Sequence, residues 1–177
     1  MATLDLYFDD PSIAALYAGR SVCQQDYVPD LSQCPDSGFD LICLETVVLK
    51  TGEQAKFDFQ LRGVMHQTMV GIDNVDQLVR VGYFLVPRSS MNDTPLIMQN
   101  SPGVIDSAYN GTIRMKVRSL ADFTIEKGTC LGQLVLSSLR PFSVRIQEGR
   151  PPETHRGEGG FGSTGNTAAV GTTHVAV

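Results

Sequence analysis

The stretch Asn100-Ser101-Pro102-Gly103-Val104-Ile105-Asp106-Ser107-Ala108-Tyr109-Asn110-Gly111, running on into Thr112-Ile113-Arg114-Met115-Lys116-Val117, decides the fold. Its second part has a period of two, with Ile113, Met115 and Val117 on one face and Arg114 and Lys116 on the other. That alternation is the mark of a strand with one face in a core. Its first part is rich in Pro, Gly and Asn, residues that set up turns, and predicts a hairpin joining 95–99 to 112–119. Val104-Ile105 is an apolar pair inside that turn, with Asp106 next and Tyr109 three residues on. An aspartate beside a hydrophobic wall suits a general base, although an ordinary hairpin with an exposed acid reads equally well from spacing alone.

The same texture extends outward in both directions. Leu4–Phe8, Phe39–Leu49, Lys56–Leu61, Val79–Val86, Leu131–Leu136 and Phe142–Ile146 all read as strands, separated by turn residues. Asp10-Pro11-Ser12 predicts a short helix, capped by Asp10 with Pro11 at its first position. Residues 73–76 fit a helical turn or a loop. No amphipathic helix is long enough to cover a sheet, so the expectation is all-β, a sandwich or barrel.

The domain reading is one β domain over 1–146, with an irregular excursion at 9–36, followed by an arm over 147–177. The arm is rich in Pro, Gly and Thr and is expected to be mobile; its end, 166–177, reads as an inert tail. The chain has 177 residues, 42% of them hydrophobic, which suffices for one core. A net charge of −5 excludes non-specific attraction to nucleic acid or an anionic membrane. No apolar run reaches spanning length. Met1–Leu6 lacks the features of a secretory signal, and an intracellular, reduced setting is expected. The four cysteines, Cys23, Cys34, Cys43 and Cys130, form no C-x-x-C pair, and His66, His155 and His174 show no ligand spacing with them. Cys43 and Cys130 fall in apolar strand patterns and read as small core residues.

Several short segments carry chemistry. Arg156-Gly157-Glu158-Gly159-Gly160-Phe161-Gly162-Ser163-Thr164-Gly165 combines close-approach glycines with an arginine, two hydroxyls and an aromatic face. That set suits a polyphosphate bearing a base. The dinucleotide fingerprint it mimics needs a strand before and a helix after, and neither fits here. The P-loop lysine is also missing. Pro87-Arg88-Ser89-Ser90 ends a strand with an anion-binding set. Asp36-Ser37-Gly38-Phe39-Asp40-Leu41 brings two acids that suit a hard cation or a turn. Gln133 stands inside the apolar run 128–135.

In this order the segments resemble the five motifs of the trimeric dUTP pyrophosphatase (dUTPase) family: 37–41, 87–90, 100–111, 128–135 and 156–165. The resemblance covers about three quarters of the chain, and its third and fifth motifs are the most specific. It implies a distorted β-barrel or jelly roll, a homotrimer with shared active sites, and Mg²⁺-assisted hydrolysis of dUTP to dUMP and pyrophosphate. Such an activity keeps uracil out of DNA and supplies dUMP. By the resemblance, Asp106 activates the attacking water, and Tyr109 lies under the deoxyribose. Asn100 reads uracil with hairpin groups of Gly103, Val104 and Ile105. Arg88, Ser89, Ser90 and Gln133 meet the phosphates, and Asp40 reaches Mg²⁺ through water. Phe161 covers the base, while Arg156, Gly162, Ser163 and Thr164 close on the γ-phosphate, over a neighbouring subunit's hairpin.

Departures from the family pattern fall at Asn110, often basic, and Thr112, often Glu; both are read as peripheral. Thr129 and Cys130 replace an acid and a base. A dCTP deaminase is the nearest alternative enzyme, but the position expected to hold its glutamate is Lys116. A non-catalytic nucleotide-binding relative is the other alternative, and the presence of Asp106 and the fifth motif weighs against it.

Overall fold

The alternation around Met115 is resolved as strand β10 in a computed structural model that describes residues 2–18, 36–71 and 74–159. β10 (Arg114–Ser119) sends Met115 and Val117 into the core, joined by Ile113 just before it, while Lys116 is exposed. Each such buried side chain contributes roughly 1.5–3 kcal/mol relative to exposure. Thirteen strands occur among the described residues, in four small sheets around one core. The fold is all-β, a distorted barrel of jelly-roll type.

The first sheet holds β1 (Ala2–Phe8) between β13 (Ser143–Gln147) and β5 (Leu61–Val70), with β6 (Asp76–Val81) outside β5. β1 and β13 are parallel, Thr3 opposite Ser143 and Tyr7 opposite Gln147. The second sheet places β10 between β4 (Gln54–Asp58) and β8 (Leu96–Gln99). The third pairs β3 (Val47–Leu49) with β11 (Phe123–Ile125). The fourth runs β2 (Gly38–Ile42), β12 (Cys130–Leu136), β7 (Tyr83–Pro87) and β9 (Gly103–Ile105).

Helix α1 (Pro11–Ala18) starts where expected, and the Asp10 carboxylate accepts the Ser12 amide at 2.8 Å. It packs Ile13 and Tyr17 inward, and the Tyr17 hydroxyl accepts the Ile42 amide at 3.1 Å. Most of the excursion lies outside the described residues. Cys43 and Cys130 are buried, as read from the sequence.

Three strand expectations are corrected. Phe39–Leu49 is two strands, interrupted at 43–46. Lys56–Leu61 spans the end of β4 and the start of β5, with Gln60 at φ 52 between them. Val79–Val86 is split at Gly82 between β6 and β7; a Cβ there would lie 3.2 Å from the Ile105 carbonyl oxygen. The hairpin of 100–111 does join β8 to β10, but it carries β9, which leaves that sheet to pair with β7. Residue 76 already belongs to β6, and Gly71, Asn74 and Val75 turn the chain from β5 into it.

Candidate active site

The β9 crossover builds the first cleft. β9 ends at Ile105, Asp106 follows, and the Tyr109 amide bonds back to the Asp106 carbonyl at 3.0 Å. This tight turn brings Asn100, Gly103, Val104, Ile105, Asp106 and Tyr109 to one cavity, together with Arg156 from far down the chain. Tyr109 is only 8% exposed, and its hydroxyl donates to the Thr112 carbonyl at 2.9 Å. Gly111 makes room for that ring: a Cβ there would fall 2.4 Å from the tyrosine oxygen. Asn100 holds a positive φ of 58 at the end of β8. Arg114 and Lys116 line the same cavity. Their alternation was legible as the polar face of β10, but not that this face looks into a cleft.

The second cleft lies on the fourth sheet. Gln133 of β12 sits opposite Asp40 of β2 and Val86 of β7. The Arg88 amide bonds to the Leu131 carbonyl at 2.8 Å, so Arg88 and Ser89 emerge beside Gln133. Gly38 leaves the space that Gln133 fills, since a Cβ there would lie 1.9 Å from its amide oxygen. Asp40 and Arg88, assigned by resemblance to a cation and to phosphate, are bonded to each other here, Nε to Oδ1 at 2.8 Å. Ser90 follows in the 3-10 turn Ser89–Asp93 and is exposed.

The described part of the arm, 147–159, lies along the hairpin of its own chain. The Asn110 amide bonds to the Gly157 carbonyl at 2.9 Å, and its side-chain nitrogen donates to the Pro152 carbonyl at 2.8 Å. Arg80 donates both to Asn110 Oδ1 and to the Pro152 carbonyl, each at 3.3 Å. Asn110 is 7% exposed and central, not peripheral. Thr112 likewise has a task, its hydroxyl donating to Asp58 at 2.8 Å. Within the chain, Arg156 forms an ion pair with Asp106.

A charged cluster holds the arm's outer side. Arg62 of β5, with its side chain 6% exposed, bonds to Asp9 at 2.7 Å and to Glu158 at 3.3 Å, and Arg150 reaches Asp9 at 3.2 Å. The Arg62 hydrogen bond holds the Asp9 carboxyl below the usual carboxylate range. Phe161, Gly162, Ser163 and Thr164 lie outside the described residues.

Comparison with known proteins follows the same lines. A family model described as dUTPase matches residues 24–165. A deoxyuridine 5'-triphosphate nucleotidohydrolase of Streptomyces avermitilis is 34% identical over 143 residues, 77% of this chain and 73% of the relative. Another protein of that name, from Rickettsia bellii, is 43% identical over 82 residues, 45% of this chain; the match spans about half the relative's length, 54%. Among solved structures, the Staphylococcus bacteriophage 80alpha dUTPase with dUPNHPP aligns at a TM-score of 0.46 and 21% identity, over 82% of this chain and 96% of that one.

Proposed function

The chain belongs to the dUTPase family, and on that premise we propose that it hydrolyses dUTP to dUMP and pyrophosphate. The observation that supports this most is the meeting of Asn100, Asp106, Tyr109 and Arg156 in one cleft. Uracil enters between Asn100 and the backbone of Gly103, Val104 and Ile105. The deoxyribose rests on the Tyr109 ring, whose fixed position leaves no room for a 2′-hydroxyl. Asp106 holds the attacking water and takes its proton as the water oxygen bonds to the α-phosphorus and the bond to the pyrophosphate oxygen breaks. Arg156 exchanges Asp106 for phosphate, which frees the carboxylate at the moment the substrate needs it.

Arg88, Ser89 and Gln133 lie on the other cleft, away from Asp106, and Ser90 follows Ser89 in the turn beside it. A homotrimer in which one copy's second cleft completes its neighbour's first would bring these phosphate contacts to the reacting centre. The donor chemistry there fits Mg²⁺ held at one remove. Asp36 and Asp40 line the cleft, Asp40 is bonded to Arg88, and no three His, Cys, Asp or Glu side chains cluster among the described residues. Mg²⁺ commonly keeps several waters and takes its remaining ligands from phosphates and one or two carboxylates. When bound it would offset the triphosphate charge, with Asp40 holding one of its waters.

A panel of dUTP, dCTP, dTTP and UTP, assayed for pyrophosphate and ammonia, tests this reading. Pyrophosphate from dUTP without ammonia is expected. Ammonia from dCTP would make the chain a deaminase, and no turnover at all would make it a binder.

A further inference from the structure

We propose that Lys116 is a specificity-determining residue of the first cleft: its ammonium donates to the 4-oxo group of a uracil base and turns away the 4-amino group of cytosine. The proposal rests on the reading of that cleft as the nucleotide site. It starts from the strands on either side of β10. Lys116 stands opposite Gln99 of β8 on one side and opposite Lys56 of β4 on the other. Like charges directly opposed across a ladder repel, so the two ammonium groups part. Lys116 lines the cleft with Gln99 and Asn100, and Lys56 does not. Arg114, two residues back on the same face, is committed elsewhere. Its Nη2 donates to the Tyr109 hydroxyl at 3.3 Å, and its Nε lies 3.9 Å from Asp58 Oδ2. The guanidinium is thereby held at the tyrosine end of the cleft, the end read above as the sugar's. Lys116 is farther along β10, beside Gln99-Asn100, where the base is read.

The chemistry at this end is one-sided. A lysine ammonium offers three donors and no acceptor. Among the described residues that line the cleft, Asp106 is the single carboxylate, and it belongs to the turn after β9. A 4-oxo pyrimidine presents an acceptor to the ammonium and gains a charge-assisted hydrogen bond. A 4-amino pyrimidine sets donor against donor, loses that bond and leaves its own N–H without a partner. Selectivity then comes from the mismatch as much as from the match. Asn100 and Gln99 do not supply this discrimination, because a side-chain amide can turn to offer either a donor or an acceptor.

Lys116→Gln and Lys116→Arg in the full chain test this. Glutamine can serve either base, arginine remains a donor-only cation, and Lys116 is exposed, so neither exchange disturbs the core. The non-hydrolysable α,β-imido analogues of dUTP and dCTP, titrated by calorimetry with Mg²⁺ present, report base preference without turnover. The ratio of kcat/KM for dUTP over dCTP, followed as pyrophosphate, reports it in the reaction. Wild type should prefer the uracil analogue. Lys116→Gln should lower that preference about tenfold, roughly the worth of one hydrogen bond to a charged group, and Lys116→Arg should keep it. A preference unchanged in Lys116→Gln, or lost equally in Lys116→Arg, would overturn the proposal, as would a wild type that binds neither analogue. If the preference follows the charge at position 116 while wild type leaves dUTP intact, the hydrolytic reading fails and the base-reading role of Lys116 stands.

Discussion

The Arg156 guanidinium is seated on the Asp106 carboxylate of the same chain, across the mouth of the cleft. Both side chains keep partial access to solvent, 31% for the arginine and 46% for the aspartate. The pair is therefore a contact that can exchange, unlike a sealed buried ion pair whose separation is costly.

Replacing Asp106 by Asn keeps the shape and removes the base. Turnover of dUTP should fall roughly 10²–10⁴-fold, the usual worth of a positioned base. Nucleotide binding, followed by calorimetry, should survive. A near-normal kcat would remove Asp106 from the chemistry.

Tyr109→Ala should admit UTP, at a cost of about 3 kcal/mol in stability for an emptied buried ring site. Tyr109→Phe retains the ring and loses the bond to the Thr112 carbonyl and the one its hydroxyl accepts from Arg114, about 1 kcal/mol each. The ratio of kcat/KM for dUTP over UTP should collapse in the first variant and hold in the second. Equal ratios in both would end the sugar-gate reading.

Gly111→Ala places a methyl group 2.4 Å from the Tyr109 oxygen. The ring must shift, and overpacking of this kind costs typically about 1–3 kcal/mol. Urea denaturation should report that loss, and steady-state kinetics should show discrimination against UTP weakened in parallel. A variant as stable and selective as the wild type would show that the ring is not held by this contact.

Asp9 carries the acid dependence of the cluster around Arg62. Its carboxyl is held low in the folded chain, chiefly by the Arg62 hydrogen bond. A depressed folded value contributes stability in full above the unfolded value of ~3.9. The contribution is lost as pH falls through the folded value. Asp9→Asn should lower the urea midpoint at pH 7, and the gap to wild type should close on acidification. Asp9 is half exposed, so the effect should stay under about 1 kcal/mol. A gap that widens toward pH 3 would contradict the assignment.

Cys43 should be inert in the native protein. Burial, with Cys130 close by, pushes its thiol up to about 11, and the thiolate is the reactive form. Iodoacetamide at pH 8 followed by mass spectrometry should leave Cys43 unlabelled until urea is added. Rapid native labelling would show that the core opens there.

How much of this was legible follows from what each element packs against. β10 announced itself because one face is buried and the other polar. β5 did not, because Leu61–Met65 is buried on both faces and includes Arg62. A buried arginine breaks any apolar pattern, and its carboxylate partners lie 53 and 96 residues away. The hairpin residues of the cleft were readable as a motif, since they are contiguous. The seating of the arm was not. It depends on Asn110, Arg80 and Arg62 meeting carbonyls and carboxylates from distant segments, and no local periodicity encodes that.

The parallel pairing of β1 with β13 bears on synthesis. Thr3 and Ser143 are neighbours in space and 140 residues apart in the chain. On a ribosome, β1 can pair with β5 early, yet its other edge stays open until nearly the whole β domain has emerged. An open strand edge is a place where nascent chains stick to one another. Closure by a contact of such long range is also slow. The order of assembly therefore leaves the arm until last, because its tether starts from the strand that completes the sheet.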